Sequence, residues 1–259
     1  MRLLVVAFAL AMPLVAWLSN SGCFGPDNAT LSDRYPTLLV AAGYAFAIWG
    51  LIFALDLLHA FWQAGTRRRD DATLRRIAPW TAAGFALTAA WMPLFSMAGA
   101  RPALFWLCLL VIFAALACLL RSAFLITQAH GPWLWAGLPL SLHAGWLSLA
   151  AFLNLAQVIV AFELLPTDDM TGWSLLLLAG AAGLLLAMNH RMHGNGAYAA
   201  VAVWGLVGVY AKQSQSALPG AAMLAWAALG VAGLLLLQTV RLRWHRAGAR
   251  SLPGAAESG

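Results

Sequence analysis

The residues best able to do chemistry here are an acid and two imidazoles set inside apolar runs. Asp56 and His59 lie three apart within the run from Leu38 to Trp62, and His143 lies within the run from Trp133 to Phe162. A charge at membrane depth needs a partner or water, so Asp56 is expected to hold a cation. Arg121 stands about 10 Å from the centre of its own helix, toward the same face as Asp56, at ~1.5 Å per residue. An Asp56–Arg121 pair acting as a structural clamp is therefore the expectation. His59 and His143 have the chemistry to relay a proton or to ligate haem iron. His190 and His193 are three apart but have no Cys, Asp or Glu beside them, so no metal site is expected. No nucleophile elbow, phosphate loop, zinc-binding helix or pair of catalytic carboxylates is present. The reading is non-enzymatic, the alternative being a small proton-coupled transporter or an intramembrane enzyme using Asp56, His59 and His143.

A second group of residues suits ligand binding. Phe46, Trp49 and Phe53 fall on one helical stripe, Thr88, Trp91 and Phe95 on another, and Trp146, Ala150, Asn154 and Gln157 on a third. Tyr44 adds an aromatic beside the first. Such stripes can wall an apolar cavity whose few polar groups orient a ligand. Trp17, Trp62, Trp80, Trp133, Trp135, Trp173 and Trp244 lie near the ends of apolar runs and read as interfacial belts.

These residues must be positioned by membrane helices. Of 259 residues, 63% are hydrophobic and only 9% charged, against about a quarter charged in soluble domains. The class is all-α, a polytopic helix bundle in contact with the lipid bilayer. Apolar runs at 3–18, 38–62, 80–98, 103–120, 133–162, 173–188, 197–211 and 221–240 give about eight transmembrane helices, the first read as a retained helix rather than a signal peptide.

The net charge of +6 fits the positive-inside rule better than nucleic-acid binding. With both termini cytoplasmic, Arg2, Arg67, Arg68, Arg69, Arg75, Arg76, Arg121, Arg191, Arg241, Arg243, Arg246 and Arg250 lie inside. Only Arg34, Arg101 and Lys212 lie outside. Pro79, Pro102, Pro132 and Pro219 read as helix starts, and Pro13, Pro93 and Pro139 as bends. Gly180/Gly183, Gly205/Gly208 and Gly230/Gly233 give the last three helices small-residue steps suited to packing or a homodimer surface.

The segments AGYAFAIWGLIF (42–53), LTAAWMPLF (87–95) and LPLSLHAGWLSLAAFLN (138–154) resemble, in this order, the second, third and fifth helices of the TspO/MBR family, the translocator or tryptophan-rich sensory proteins. At the offset before Trp91 where that family has an asparagine, this chain has Thr88. The resemblance covers residues 1–162 as a five-helix unit. It divides the chain into that unit, a three-helix membrane extension at 163–244 and a cytoplasmic tail at 245–259. It implies a bacterial inner-membrane protein that senses or carries a porphyrin-like or other hydrophobic small molecule, with no required cofactor. The expected ligand-binding residues are Tyr44, Phe46, Trp49, Thr88, Trp91, Phe95, Trp146, Asn154 and Gln157.

Overall fold

Each long apolar run forms a helix in the computed structural model, which describes residues 1–68, 70–129 and 133–250. The helices are α1 Arg2–Asn20, α2 Asn28–Arg34, α3 Ile48–Ala64, α4 Ala72–Ala98, α5 Leu104–Gln128, α6 Leu138–Ala161, α7 Thr171–Arg191, α8 Gly196–Gln213 and α9 Ala221–Arg250. Seven of them, all but α2 and α8, are long and apolar enough to cross a membrane. The protein is a polytopic helical bundle. α8 carries Lys212 and Gln213 in its last turn, which lowers its mean hydropathy, but its length matches a span at ~1.5 Å per residue. The expectations for Arg69, Pro132 and residues 251–259 lie outside the described residues, as do those for the side chains of Trp133 and Arg250.

α6 is the central helix. It is buried over 78% of its apolar window, against 22% for α1 and for α7. A helix apolar on every side belongs in the interior of a bundle. α6 packs on α5, α8, α7 and α3, while α4 packs on α5 and α1, and α9 on α8 and α7. The connecting segments gather at two ends. At one end Arg2 donates to the Arg68 carbonyl, Gln63 to the Arg2 carbonyl, and Gln128 to the Arg191 carbonyl. At the other, Lys212 pairs with Asp33 at 2.7 Å and Gln213 donates to the Thr37 carbonyl.

Three local readings are corrected. Pro79 lies inside α4, because Asp71 caps the helix by accepting from the Leu74 N–H at 3.0 Å and so starts it at Ala72, well before the proline. The proline leaves the Arg75 carbonyl without its helical donor. Pro139 stands in the first turn of α6, where it starts the helix rather than bending it. Trp173, expected in an interfacial belt, is buried, and its indole N–H donates to the Pro166 carbonyl.

The start of α3 differs most. Its helix begins at Ile48, after a 3₁₀ turn at Gly43–Ala47, and residues 38–41 are buried without being helical. Non-helical backbone at this depth needs protein partners, and α8 supplies them. The Ala42 N–H donates to the Gly208 carbonyl at 2.9 Å, and the Trp204 indole N–H to the Ala45 carbonyl at 3.0 Å. A Cβ on Gly208 would sit 2.8 Å from that of Ala45 and 3.3 Å from that of Ala41. The missing side chain is what lets the two segments meet. α8 is in turn fixed to α6: the Tyr198 hydroxyl donates to Ser148, and Asn195, the N-cap of α8, donates to Ser141.

The glycine steps therefore separate. Gly205 and Gly208 of α8 face packed neighbours, whereas a Cβ added at Gly183, Gly230 or Gly233 would meet nothing within 4 Å among the described residues. Gly208→Leu is expected to cost about 1–3 kcal/mol by overpacking, and Gly230→Leu to stay within about 0.5 kcal/mol. Thermal unfolding in detergent checks this, and equal losses in the two variants would contradict the bracing role of α8.

Candidate functional site

The three aromatic stripes converge because the start of α3, with the turn before it, and the last turns of α4 both meet α6. Phe46, Trp49, Trp91, Phe95, Trp146, Asn154 and Gln157 line one cavity, together with Ser32, Val40, Ala150 and Leu153. The rings interlock. Trp49 stacks on Phe53 at 5.2 Å and Trp91 on Phe95 at 4.9 Å, while Trp146 meets Trp49 and Phe46 edge to face. Offset and T-shaped pairs of this kind are the favoured aromatic geometries. The Trp91 indole donates to Asn154 Oδ1 at 3.0 Å, which fixes the amide. The indole N–H groups of Trp49 and Trp146 are buried and have no acceptor among the described residues. A buried unsatisfied donor costs about 1–3 kcal/mol.

In this form the cavity is narrow. Its volume, about 20 Å³ for the centre of a water-sized molecule, suits one water. Beside it, between α1, the start of α2 and α3, lies a larger open cleft of about 420 Å³. Phe46 and Trp49 line both spaces, so these two rings form the partition between them.

Two of the nine expected ligand residues lie elsewhere. Tyr44 is exposed and packs edge-on against Trp204 of α8, because the 3₁₀ turn rotates it away from Phe46. Thr88 is buried behind the cavity, donating to the Gly84 carbonyl at 2.9 Å and lying 3.3 Å from His143 Nε2. Ser32 comes from the seven-residue helix α2 and Val40 from the non-helical chain before α3, both outside the three stripes, so no spacing argument reaches them.

The expected Asp56–Arg121 pair is replaced by another. Asp56 Oδ2 lies 2.7 Å from His143 Nδ1, with both side chains fully buried, whereas Arg121 is exposed. The reason is helix adjacency: α3 packs on α6 and α1, while α5 packs on α4 and α6. The Thr88 hydroxyl has one proton, which goes to the Gly84 carbonyl, so His143 Nε2–H must donate to Thr88. One further proton is then shared between His143 Nδ1 and Asp56 Oδ2. With it the pair is net neutral, which is how an acid is tolerated at this depth. Phe85 stacks on the imidazole and Trp49 meets it edge-on. The ring therefore has both nitrogens engaged and two aromatic neighbours. His59, one turn along α3, uses Nδ1 to donate to the Trp135 carbonyl at 2.9 Å.

A family model described as TSPO-like protein matches residues 2–241. This chain belongs to the TSPO-like family. The match runs through α1 to α9, so it takes in α8 and the backbone it braces as well as the three aromatic stripes. No curated protein and no solved structure matches this TSPO-like chain. Family and helices together make it an integral membrane protein.

The buried pair yields a stability test. Asp56→Ala leaves the imidazole without its partner and is expected to cost about 3–5 kcal/mol, while Arg121→Ala, at an exposed position, stays within about 0.5 kcal/mol. Denaturation of the two variants side by side checks the pairing. A large loss in Arg121→Ala with none in Asp56→Ala would restore the sequence-based pair.

Proposed function

We propose that this protein binds a flat, hydrophobic small molecule of porphyrin type between α3, α4 and α6, and serves as a sensor or carrier without catalysing a reaction. The same reading puts it in a bacterial inner membrane with both termini cytoplasmic. The supporting observation is the pair of unsatisfied indole donors, Trp49 and Trp146, on one aromatic cavity. Aromatic walls favour a flat apolar ring, and two unsatisfied N–H groups favour acceptors on that ligand, such as carboxylates.

Asn154 and Gln157 add amide groups on the same wall, and no charged side chain among the described residues lines it. A porphyrin exceeds the resting cavity. Rotation of Phe46 and Trp49 would join that cavity to the adjoining cleft, so binding is expected to go with movement of these rings.

A second reading, proton-coupled transport, is favoured by the Thr88–His143–Asp56 chain, which links α4 to α3 through α6. The two readings separate at Asp56→Asn. Ligand binding alone tolerates that change if the fold holds, whereas proton-coupled uptake is lost.

The main reading is tested by titrating purified protein with protoporphyrin and following tryptophan quenching. Trp49→Phe and Trp146→Phe keep a ring but remove the donor. Each is expected to weaken binding about tenfold, the equivalent of ~1.4 kcal/mol for one hydrogen bond. Absent binding, or equal affinity in wild type and both variants, would overturn the reading.

A further inference from the structure

From Met170 to Arg250 the chain carries basic residues and no acid; after Asp169 the next carboxylate in the sequence is that of Glu257. α9 packs on α7 and α8, so the helices beside its basic end bring it no counter-charge. Two arginines at that end find partners in the protein. The Arg191 guanidinium lies 5.0 Å from the centre of the Phe124 ring, and Arg243 Nε donates to the Gly194 carbonyl at 2.9 Å. Arg241 and His245 are exposed and make no hydrogen bond or ion pair among the described residues.

These two side chains head a groove of about 400 Å³ between α7 and α9, walled by Leu186, Leu234, Leu237, Gln238 and Leu242. On α9 the residues 234, 237, 238, 241, 242 and 245 recur at helical spacing, so one face is apolar toward the middle of the helix and basic toward its end. Gln238 joins the two helices. Its amide donates to the Leu186 carbonyl at 3.1 Å and accepts from Asn189 at 2.8 Å, so both of its polar atoms are engaged and only Arg241 and His245 are left to face an occupant. Depth fits as well. Arg241 is the first charge after the uncharged run 221–240, about 30 Å at ~1.5 Å per residue, the thickness of a hydrocarbon core. The guanidinium therefore stands at phosphate depth, and the exposed Trp244 beside it suits the same interface.

We infer that this groove binds an acidic phospholipid, its phosphate held by Arg241 and His245 and an acyl chain lying along Leu237, Leu234 and Leu186. A guanidinium engages phosphate through two parallel hydrogen bonds, and an imidazole N–H donates to a further oxygen. The head group is selected by charge: the ammonium of a choline or ethanolamine head would stand beside Arg241 with no acid to receive it, whereas a glycerol head brings only hydroxyls. The leucines select a lipid over a free phosphate, which would leave them uncovered. The groove shares no residue with the aromatic cavity, so the site is independent of that cavity's ligand.

The test places the full chain in phosphatidylcholine nanodiscs, adds phosphatidylglycerol in steps, and measures retained lipid by native mass spectrometry alongside thermal unfolding. Phosphatidylglycerol is expected to be retained in preference to phosphatidylcholine, with a saturable rise in Tm. Arg241→Gln, at an exposed position, should keep the fold and weaken retention about fivefold, the share of one basic residue at an anionic surface. Arg246→Gln removes a charge from the same end of α9 without touching the groove lining, and should leave retention unchanged. Glycerophosphoglycerol, the same head without acyl chains, should not compete. Equal retention of the two lipids, equal losses in Arg241→Gln and Arg246→Gln, or competition by glycerophosphoglycerol at the lipid's own concentration would overturn the proposal. Phosphatidylglycerol retained by Glu257→Gln and not by the wild type would give the groove to the chain's own tail and overturn it as well.

Discussion

A net-neutral pair of fully buried side chains, Asp56 and His143, fixes how α3 meets α6, and the aromatic site is built on that junction. Neither residue is tolerable alone at this depth, since an unpaired charge in a low-dielectric interior costs several kcal/mol. Sharing a proton removes the net charge, and the ring's second nitrogen is satisfied by Thr88 of α4. Three helices are thereby registered at one point. Trp49 lies two turns before Asp56 on α3 and Trp146 follows His143 by three residues on α6, so the pair also brings these two indoles face to edge. The polar junction and the aromatic cavity are one construction.

The second constraint is backbone. The chain between Thr37 and Ala47 is too irregular to survive in lipid, and α8 makes it viable by accepting from Ala42, donating to Ala45 and offering glycine where side chains would collide. This carries Phe46 to the cavity and Tyr44 away from it. A C-terminal helix thus has a structural part in a site whose walls come from α3, α4 and α6.

Much of this was legible because helical spacing is local. The positions i, i+3, i+4, i+7 and i+8 share a face in any helix, so Trp49 with Phe53, Trp91 with Phe95, and Trp146 with Asn154 could be grouped from the sequence. Tyr44 could not be placed, since a 3₁₀ turn breaks the spacing on which such grouping depends. The partner of Asp56 was out of reach for a different reason. Depth along a helix can be counted, but which helix lies beside which is a property of the packed bundle. Arg121 matched in depth, whereas His143 matched in space. Thr88 shares the spacing of Trp91 and Phe95 but lies behind the cavity, its hydroxyl oxygen facing an imidazole that no stripe included.

For the aromatic cavity to hold its ligand as proposed, acceptors on that ligand must reach the two unsatisfied indoles. Protein labelled with ¹⁵N-tryptophan gives one indole N–H resonance per tryptophan, and Trp49→Phe and Trp146→Phe identify the two of interest by their loss. On adding protoporphyrin, both resonances should shift downfield as their N–H groups gain acceptors, while that of the exposed Trp226 stays in place. Saturable binding that leaves the Trp49 and Trp146 resonances unmoved would contradict this role for the two indoles.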